Sequence, residues 1–167
     1  MLDLATIRRD SEVEAIMEMS EKQIEALGFT EHSRRHAGIV SKWSGEILRA
    51  LGKSEDRIRL AEIAGYLHDI GNCINRKDHA QSGAILSYKI LTRLGMSAPD
   101  AAEIMMAIGN HDEQYGQPVS DVSSALIIAD KADVHKSRVK NAVSDVFKAN
   151  IHDRVNLAAE RSFVQVE

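Results

Sequence analysis

The stretch that decides the fold is Leu60-Ala61-Glu62-Ile63-Ala64-Gly65-Tyr66-Leu67-His68-Asp69-Ile70-Gly71. Its apolar residues recur at helical spacing, which predicts a buried helix, and Gly71 is a typical helix-ending residue. An imidazole and a carboxylate, those of His68 and Asp69, stand side by side at the end of that helix. Buried groups of this kind are costly unless they are paired or bind a metal. The pair therefore indicates either two metal ligands or a solvated helix terminus.

The rest of the chain reads as a succession of helices separated by short turns. The expected helices run from Ser11 to Gly28, from Thr30 to about Leu51, from Ser54 into the opening motif, from about His79 to Leu94, from Ser97 to about Asn110, and from Ser120 or Asp121 through the apolar run 125–129. That run is apolar on all sides, which predicts a central helix, and residues 142–149 could form a further helix. The sequence shows no strand-like alternation, so we expect one all-α domain over residues 1–167.

Composition narrows the classes of function. The chain has 167 residues, 44% of them apolar, and a net charge of −4. An acidic balance argues against nucleic acid or an anionic membrane as the partner, because both require a basic surface. No apolar run approaches the length of a membrane span, and the N-terminus lacks a signal-peptide core. The single Cys73 suits a reducing compartment. We therefore expect a cytoplasmic protein.

Further metal-capable side chains fall mostly at the ends of other expected helices. They are His32 in the first turn of the second helix, His79 at the start of the fourth, His111 and Asp112 at the end of the fifth, and Asp130 in the sixth. Ends of neighbouring helices can meet at one point. Asp130 follows an apolar run and should be buried, so it needs a partner of opposite charge. That partner is either a metal ion or a cation such as Lys131 or Arg138.

In this order the residues resemble the HD-domain superfamily of metal-dependent phosphohydrolases. The strings that carry the resemblance are Glu31-His32-Ser33-Arg34-Arg35, Leu67-His68-Asp69-Ile70-Gly71, His79-Ala80-Gln81-Ser82-Gly83-Ala84, Asn110-His111-Asp112 and Ile128-Ala129-Asp130-Lys131-Ala132-Asp133. The resemblance covers residues 30–140 and implies a compact bundle of six or seven helices with a metal site between them. Residues 1–28 remain as an N-terminal amphipathic helix that packs on the domain or forms a homodimer interface. Residues 141–167 remain as a C-terminal tail of undefined structure.

The resemblance also implies a ligand set for one or two ions. The residues that match ligands of the first ion are His32, His68, Asp69 and Asp130, and those that match ligands of a second ion are His79 and His111, with Asp69 between the two. Members of the family with the fullest second site often carry another histidine where this chain has Asp112. Asp112 is therefore either a ligand or a solvated acid.

Two further residues near these positions could ligate an ion or orient a ligand. His36 lies one helical turn after His32 and is the alternative upstream ligand, although His32 fits the family string better. Asp133 lies one turn after Asp130 and could orient a ligand by accepting its outer hydrogen bond.

The chemistry of such a site is consistent with phosphoryl transfer. Mixed imidazole and carboxylate ligands suit Fe, Mn, Co, Ni or Zn better than Mg, and an ion so bound supplies hydroxide near neutral pH. The developing phosphate charge also needs cations. We expect Arg35, Lys131 and Arg138 as phosphate contacts, the last two because seven residues place them on nearly one helix face. Surface salt bridges are the alternative for each. Catalytic roles are expected for Asp69, Lys131 and Arg35.

The predicted function is that of a metal-dependent phosphohydrolase that attacks a phosphate ester or anhydride with metal-bound hydroxide. The expected substrate is a small phosphorylated metabolite, with a nucleotide favoured. Two alternatives stay open: a non-catalytic HD module that binds a ligand and signals, and a di-iron oxygenase, which some proteins of this fold are. Dependence on reduced iron and consumption of oxygen would distinguish the oxygenase from the hydrolase.

Overall fold

A computed structural model describes residues 2–28, 34–139 and 151–167 of the chain. In these ranges the α-helices are α1 (Leu4–Arg8), α2 (Ser11–Ala26), α3 (Arg34–Ala50), α4 (Glu55–Leu67), α5 (His79–Arg93), α6 (Ala98–Gly109), α7 (Asp121–Ala132) and α8 (Ile151–Ala158). Two short 3-10 turns, Ile70–Cys73 and Lys136–Arg138, follow α4 and α7. The described ranges contain no strand, and the all-α prediction is confirmed.

Helix starts follow the capping signals closely. The hydroxyls of Ser54, Ser97 and Ser120 each accept a hydrogen bond from a backbone N–H in the first turn of α4, α6 and α7. α2 begins at Ser11 as expected, and its N-cap is Asp10, whose carboxylate accepts a hydrogen bond from the Val13 N–H. The expected start of the second helix at Thr30 and the expected helix at 142–149 lie outside the described residues.

One short helix was not expected from the sequence. α1 is five residues long, too short to show a periodic apolar pattern, and it is capped by Asp3, whose carboxylate accepts from the Thr6 N–H at 2.8 Å. Its Ile7 is fully buried in the core. None of the helices in the described ranges is long and apolar enough to cross a membrane.

Two glycines bring the elements around the motif into close contact. A Cβ atom at Gly65 would lie 2.7 Å from Ser41 Cα, so only glycine lets α4 cross α3 this closely. A Cβ atom at Gly71 would collide with the backbone of His79 and Gly83. The first contact sets the end of α4 against the middle of α3, and the second sets the following 3-10 turn against the start of α5.

α7 corrects two expectations. The run 125–129 is not apolar-buried on all sides, because Leu126 and Ala129 are fully buried whereas Ile128 is 50% exposed. The helix also ends at Ala132, so Arg138 does not share a helix face with Lys131. Arg138 lies instead in the 3-10 turn that follows. No glycine or proline marks this helix end, which is why the apolar pattern alone did not predict it.

The apolar stripe of α2 is covered by the chain itself. Val13, Met17 and Ile24 are buried, and α2 packs against the 3-10 turn that follows α4. Ser20 donates from its hydroxyl to the carbonyl of Asp69 at 3.3 Å. α2 therefore forms one wall beside the His-Asp motif.

Candidate metal centre

The centre is built around Asp69, which follows His68 at the end of α4. Its Oδ2 lies 3.3 Å from His68 Nε2 and 3.8 Å from His36 Nε2. Its Oδ1 lies 3.4 Å from His79 Nε2. Asn72, buried in the 3-10 turn, donates from Nδ2 to Oδ1 at 2.9 Å and to the Asp69 carbonyl at 3.0 Å. The turn thus orients a carboxylate whose two oxygens face different groups of histidines.

The first half-site comprises His36, His68, Asp69 Oδ2 and Asp130. His36 projects from the first turn of α3 and Asp130 from the last turn of α7. Asp130 Oδ1 lies 3.2 Å from His36 Nε2 and 3.6 Å from His68 Nε2. Ligand atoms of His36, His68 and Asp130 all lie within 4.8 Å of one another. Three helix ends therefore deliver nitrogen and oxygen donors to one buried point.

The second half-site comprises His79, His111 and Asp69 Oδ1. His79 is the first residue of α5, and His111 follows the end of α6 by two residues. Their Nε2 atoms lie 3.2 Å apart, and both side chains are buried. His111 also lies within 4.8 Å of His68 and Asp69 by their ligand atoms, so the two half-sites are continuous.

A shared hydrogen-bond pattern orients all four imidazoles. The Nδ1 partners are Asp133 Oδ2 for His36 at 2.7 Å, the Gly65 carbonyl for His68 at 2.9 Å, the Arg76 carbonyl for His79 at 3.0 Å and the Ile108 carbonyl for His111 at 2.7 Å. Carbonyl and carboxylate oxygens accept, so each Nδ1 carries a proton and Nε2 is the nitrogen presented to the centre. Outer contacts of this kind are typical of metal-binding histidines.

The two half-sites differ in their electrostatics. Burial alone would lower the pKa of His68, but the carboxylates of Asp69 and Asp130 raise it to about 10. Burial and the nearby His68 lower the pKa of His111 to about 4, and burial also lowers the pKa of His79. Burial would raise the pKa of Asp130, yet its hydrogen bonds with neighbouring histidines hold it well below the usual range. At pH 7 the first half-site therefore contains ionised carboxylates around a protonated His68, whereas the histidines of the second half-site are neutral.

A cation absent from the sequence-based prediction lies against the second half-site. Arg76, in the loop before α5, places Nη1 3.2 Å from His79 Nε2, 3.4 Å from Asn72 Oδ1 and 3.7 Å from Asp69 Oδ1. Its side chain is 30% exposed. In sequence Arg76 resembles any solvated basic residue of a loop, and its position three residues before His79 is the one signal that points to the centre.

The upstream histidine in the first half-site is His36. His32, which the family string favours for that place, lies outside the described residues. The remaining expected ligands, His68, Asp69, His79, His111 and Asp130, all lie at the centre. Asp112 lies at its edge, with Oδ2 3.6 Å from His79 Nδ1 and Oδ1 accepting from the Gln114 N–H at 2.9 Å.

The three basic residues expected to contact phosphate occupy different positions. Lys131 Nζ lies 2.9 Å from Asp130 Oδ2, and its side chain is 44% exposed. Arg35 Nη2 lies 3.5 Å from Asp133 Oδ2, with a side chain 38% exposed. Arg138 is buried, and its Nη1 donates to the Asp133 carbonyl at 2.5 Å. Lys131 and Arg35 thus present charge toward solvent beside the first half-site, whereas Arg138 supports the segment that holds Asp133.

The donor set fits a divalent transition metal. Imidazole nitrogen combined with carboxylate oxygen suits Fe, Mn, Co, Ni or Zn, whereas Mg favours an all-oxygen shell. His68 Nε2 is fully buried and makes no well-directed hydrogen bond to a protein atom in the described ranges, although two carboxylates lie nearby. A cation between His68 and those carboxylates would satisfy this nitrogen and the anionic oxygens together.

Known proteins are similar to this chain in sequence and fold. The family model for the HD domain matches residues 29–137. The crystal structure of a predicted HD superfamily hydrolase from an uncultured Thermotogales bacterium is similar, with a TM-score of 0.57 and 25% identity over 79% of this chain and 74% of that one. An uncharacterised protein of Methanocaldococcus jannaschii is 24% identical over 78% of this chain, which spans 58% of that relative's length. From the match of its motifs and its fold, the chain belongs to the HD-domain family.

Proposed function

We propose that this protein is a metal-dependent phosphohydrolase that cleaves a phosphate ester or anhydride of a small metabolite. The observation that carries the proposal is the convergence of four imidazole Nε2 atoms and two carboxylates at one buried point with solvent-facing cations beside it. Membership of a family of metal-dependent hydrolases supports the same class of reaction.

Four side chains would hold the ion at the first half-site. They are His36, His68, Asp69 and Asp130, with His79 and His111 adjoining them across Asp69. A divalent ion held there supplies a water of lowered pKa, which can act as a nucleophile near neutral pH. The chain's own contribution is to fix the ligand directions through the Nδ1 contacts and to exclude bulk water from the donor atoms.

Lys131 and Arg35 are the residues proposed to bind the phosphate. Burial would lower the pKa of Lys131, but Asp130 raises it, so the ammonium group stays protonated and available to an anion. Arg35 shares Asp133 with His36, so its guanidinium lies beside a proposed ligand while part of it stays accessible. Both can neutralise charge that develops on a transferring phosphoryl group. Arg138 would act through Asp133 and not on the substrate.

A nucleotide is the substrate class we favour. Tyr115 lies in the loop that follows His111 and is 75% exposed. An exposed aromatic ring offers a stacking surface for a nucleotide base, and such stacking does not depend on which base is present. A cytoplasmic location remains part of the proposal and rests on composition. A homodimer stays a prediction from the sequence, and the apolar stripe of α2 does not support it, because that stripe packs on the domain.

The test combines metal analysis with a phosphate-release screen. The purified protein is loaded with Mn, Co, Ni, Mg or Fe, analysed for bound metal, and assayed on nucleoside monophosphates and dinucleoside polyphosphates. Metal content together with release from one nucleotide class is the expected result. Asp69→Asn, purified in parallel, is the control for a contaminating phosphatase and should show neither.

Other outcomes would contradict the proposal. Bound metal without release from any phosphorylated substrate would favour the ligand-binding module, and oxygen consumption with reduced iron would favour the oxygenase. Failure to bind metal under every loading condition would remove the metal centre itself.

A further inference from the structure

The loop before α5 places the guanidinium of Arg76 against donor atoms of the second half-site, which a second metal ion would otherwise use. Arg76 Nη1 lies 3.2 Å from His79 Nε2 and 3.7 Å from Asp69 Oδ1. These are two of the donor atoms of the second half-site. The third, His111 Nε2, lies 3.2 Å from His79 Nε2. The guanidinium therefore lies at two of the three donor atoms that a second cation would need.

The same residue acts on both nitrogens of His79. The carbonyl of Arg76 accepts from His79 Nδ1 at 3.0 Å, which leaves the lone pair on Nε2. The Arg76 side chain then donates to that lone pair from Nη1. A metal ion needs this lone pair for itself, so the two cannot use His79 at the same time.

The surrounding loop holds Arg76 in this position. Asn72, whose amide orients Asp69, receives a hydrogen bond from Arg76 Nη1 at 3.4 Å. Asp78 adopts a left-handed backbone conformation, with φ of 59°, which turns the chain between Arg76 and His79. The guanidinium thus contacts Asp69 at the end of α4, Asn72 in the 3-10 turn and His79 at the start of α5.

We infer that Arg76 takes the place of a second cation, so that the protein holds one metal ion, in the first half-site, with the guanidinium closing the second half-site to another. Arg76 then supplies the positive charge that a second ion would offer to an anion bound at the centre. This inference rests on the metal centre of the proposed function but not on the reaction, since it concerns only how many ions bind.

The experiment measures ions per chain with Mn²⁺ alone. The wild-type protein and Arg76→Met are dialysed against Mn²⁺ and analysed for metal content and by electron paramagnetic resonance. We expect one ion in the wild type, with the spectrum of an isolated ion, and two in Arg76→Met, with the spectrum of a coupled pair. Removal of a like charge a few ångströms away should raise the affinity for the second ion roughly tenfold or more.

Two matched variants accompany Arg76→Met. Lys77→Met removes the same charge from the exposed neighbouring residue and should leave one ion per chain. Arg76→Lys retains a cation and should also bind one. Two ions in the wild type, or one in Arg76→Met when it is folded, would overturn the inference while leaving the metal centre in place. No ion in any variant would overturn the metal centre instead.

A second measurement applies if Arg76→Met does not fold. In an otherwise wild-type chain, His79→Ala should keep one Mn²⁺ per chain with its affinity changed less than about threefold, because His79 serves Arg76 and not an ion. Loss of an ion from His79→Ala would show that a second ion is normally bound there, and would overturn the inference.

Discussion

The two half-sites use the same imidazole geometry and share one carboxylate, yet they differ in charge. In the first, Asp69 and Asp130 surround His68 and raise its pKa to about 10. In the second, His111 has a pKa of about 4 and the nearest further charge is the positive Arg76. The two half-sites therefore share the orientation of their histidines and differ in the charges that surround them.

They also differ in how the chain supports them. The outer partner of His36 is the carboxylate of Asp133, which is itself bound by Arg138. The outer partners of His79 and His111 are backbone carbonyls within three residues in sequence. The orientation of His36 therefore depends on a contact between distant segments, whereas His68, like both histidines of the second half-site, is oriented by a carbonyl three residues before it. Substitutions should reveal this difference.

Loss of the shared carboxylate should have the largest effect. In Asp69→Asn the bridge between the half-sites loses its charge, and we expect metal affinity to fall at least about a hundredfold, with phosphate release lost in parallel. Metal analysis after dialysis and the release assay measure the two effects. Asp56→Asn, an exposed carboxylate at the start of α4, is the matched control and should retain both. Full metal content in Asp69→Asn would show that Asp69 is not the central ligand.

Metal affinity should depend on pH through the first half-site alone. Because the pKa of His68 is raised to about 10, this imidazole is protonated at pH 7 in the metal-free protein and must lose a proton to bind an ion. Affinity should therefore rise about tenfold per pH unit, or about a hundredfold from pH 7 to pH 9, and level off above the pKa.

His111 should contribute no such dependence. Its pKa of about 4 leaves it neutral throughout that range, so it has no proton to release. Calorimetric titration with Mn²⁺ in buffers of different ionisation enthalpy measures the number of protons released. Release of about one proton at pH 7 is expected. Absence of proton release would mean that the ion does not bind at His68 by displacing its proton.

The outer contact of His36 should matter less than the ligands themselves. In Asp133→Asn, Oδ2 no longer carries the charge that holds the His36 Nδ1 proton, and metal affinity should fall about 10–100-fold with the ion count unchanged. Competition with a metal-sensitive dye measures the affinity. An unchanged affinity would show that His36 is oriented by other contacts. Loss of the ion altogether would indicate that Asp133 is a ligand and not a support.

The parts of this comparison that the sequence predicts are the local ones. Capping serines and apolar spacing located α4, α6 and α7, and the adjacent His68 and Asp69 indicated the centre. The choice between two histidines one turn apart could not be made in the same way. His36 is selected by Asp133, which lies 97 residues further along the chain, and this pairing exists only after α3 packs against α7.

The misplaced and missed residues have the same origin. The spacing from Lys131 predicts that Arg138 lies on the same helix, but α7 ends at Ala132, and no glycine or proline marks that end in the sequence. No sequence pattern identifies Arg76, because the path of the loop from Asn72 to Asp78 depends on contacts with α5 and not on local residues. Sequence periodicity describes helices well, but the direction of a side chain at a helix end or in a loop depends on packing.

Substitution of Asp112 should have the smallest effect on metal binding, and it tests whether this residue belongs to the second half-site. Its Oδ2 lies 3.6 Å from His79 Nδ1, which already donates to the Arg76 carbonyl at 3.0 Å, and its Oδ1 accepts from the Gln114 N–H. Asp112→Asn keeps an oxygen for that turn, so metal content and affinity should stay within about twofold of the wild type. Loss of an ion in Asp112→Asn would make this carboxylate a ligand. It would also require a second ion at the half-site that Arg76 contacts, so this half-buried residue provides an independent check on the role of Arg76.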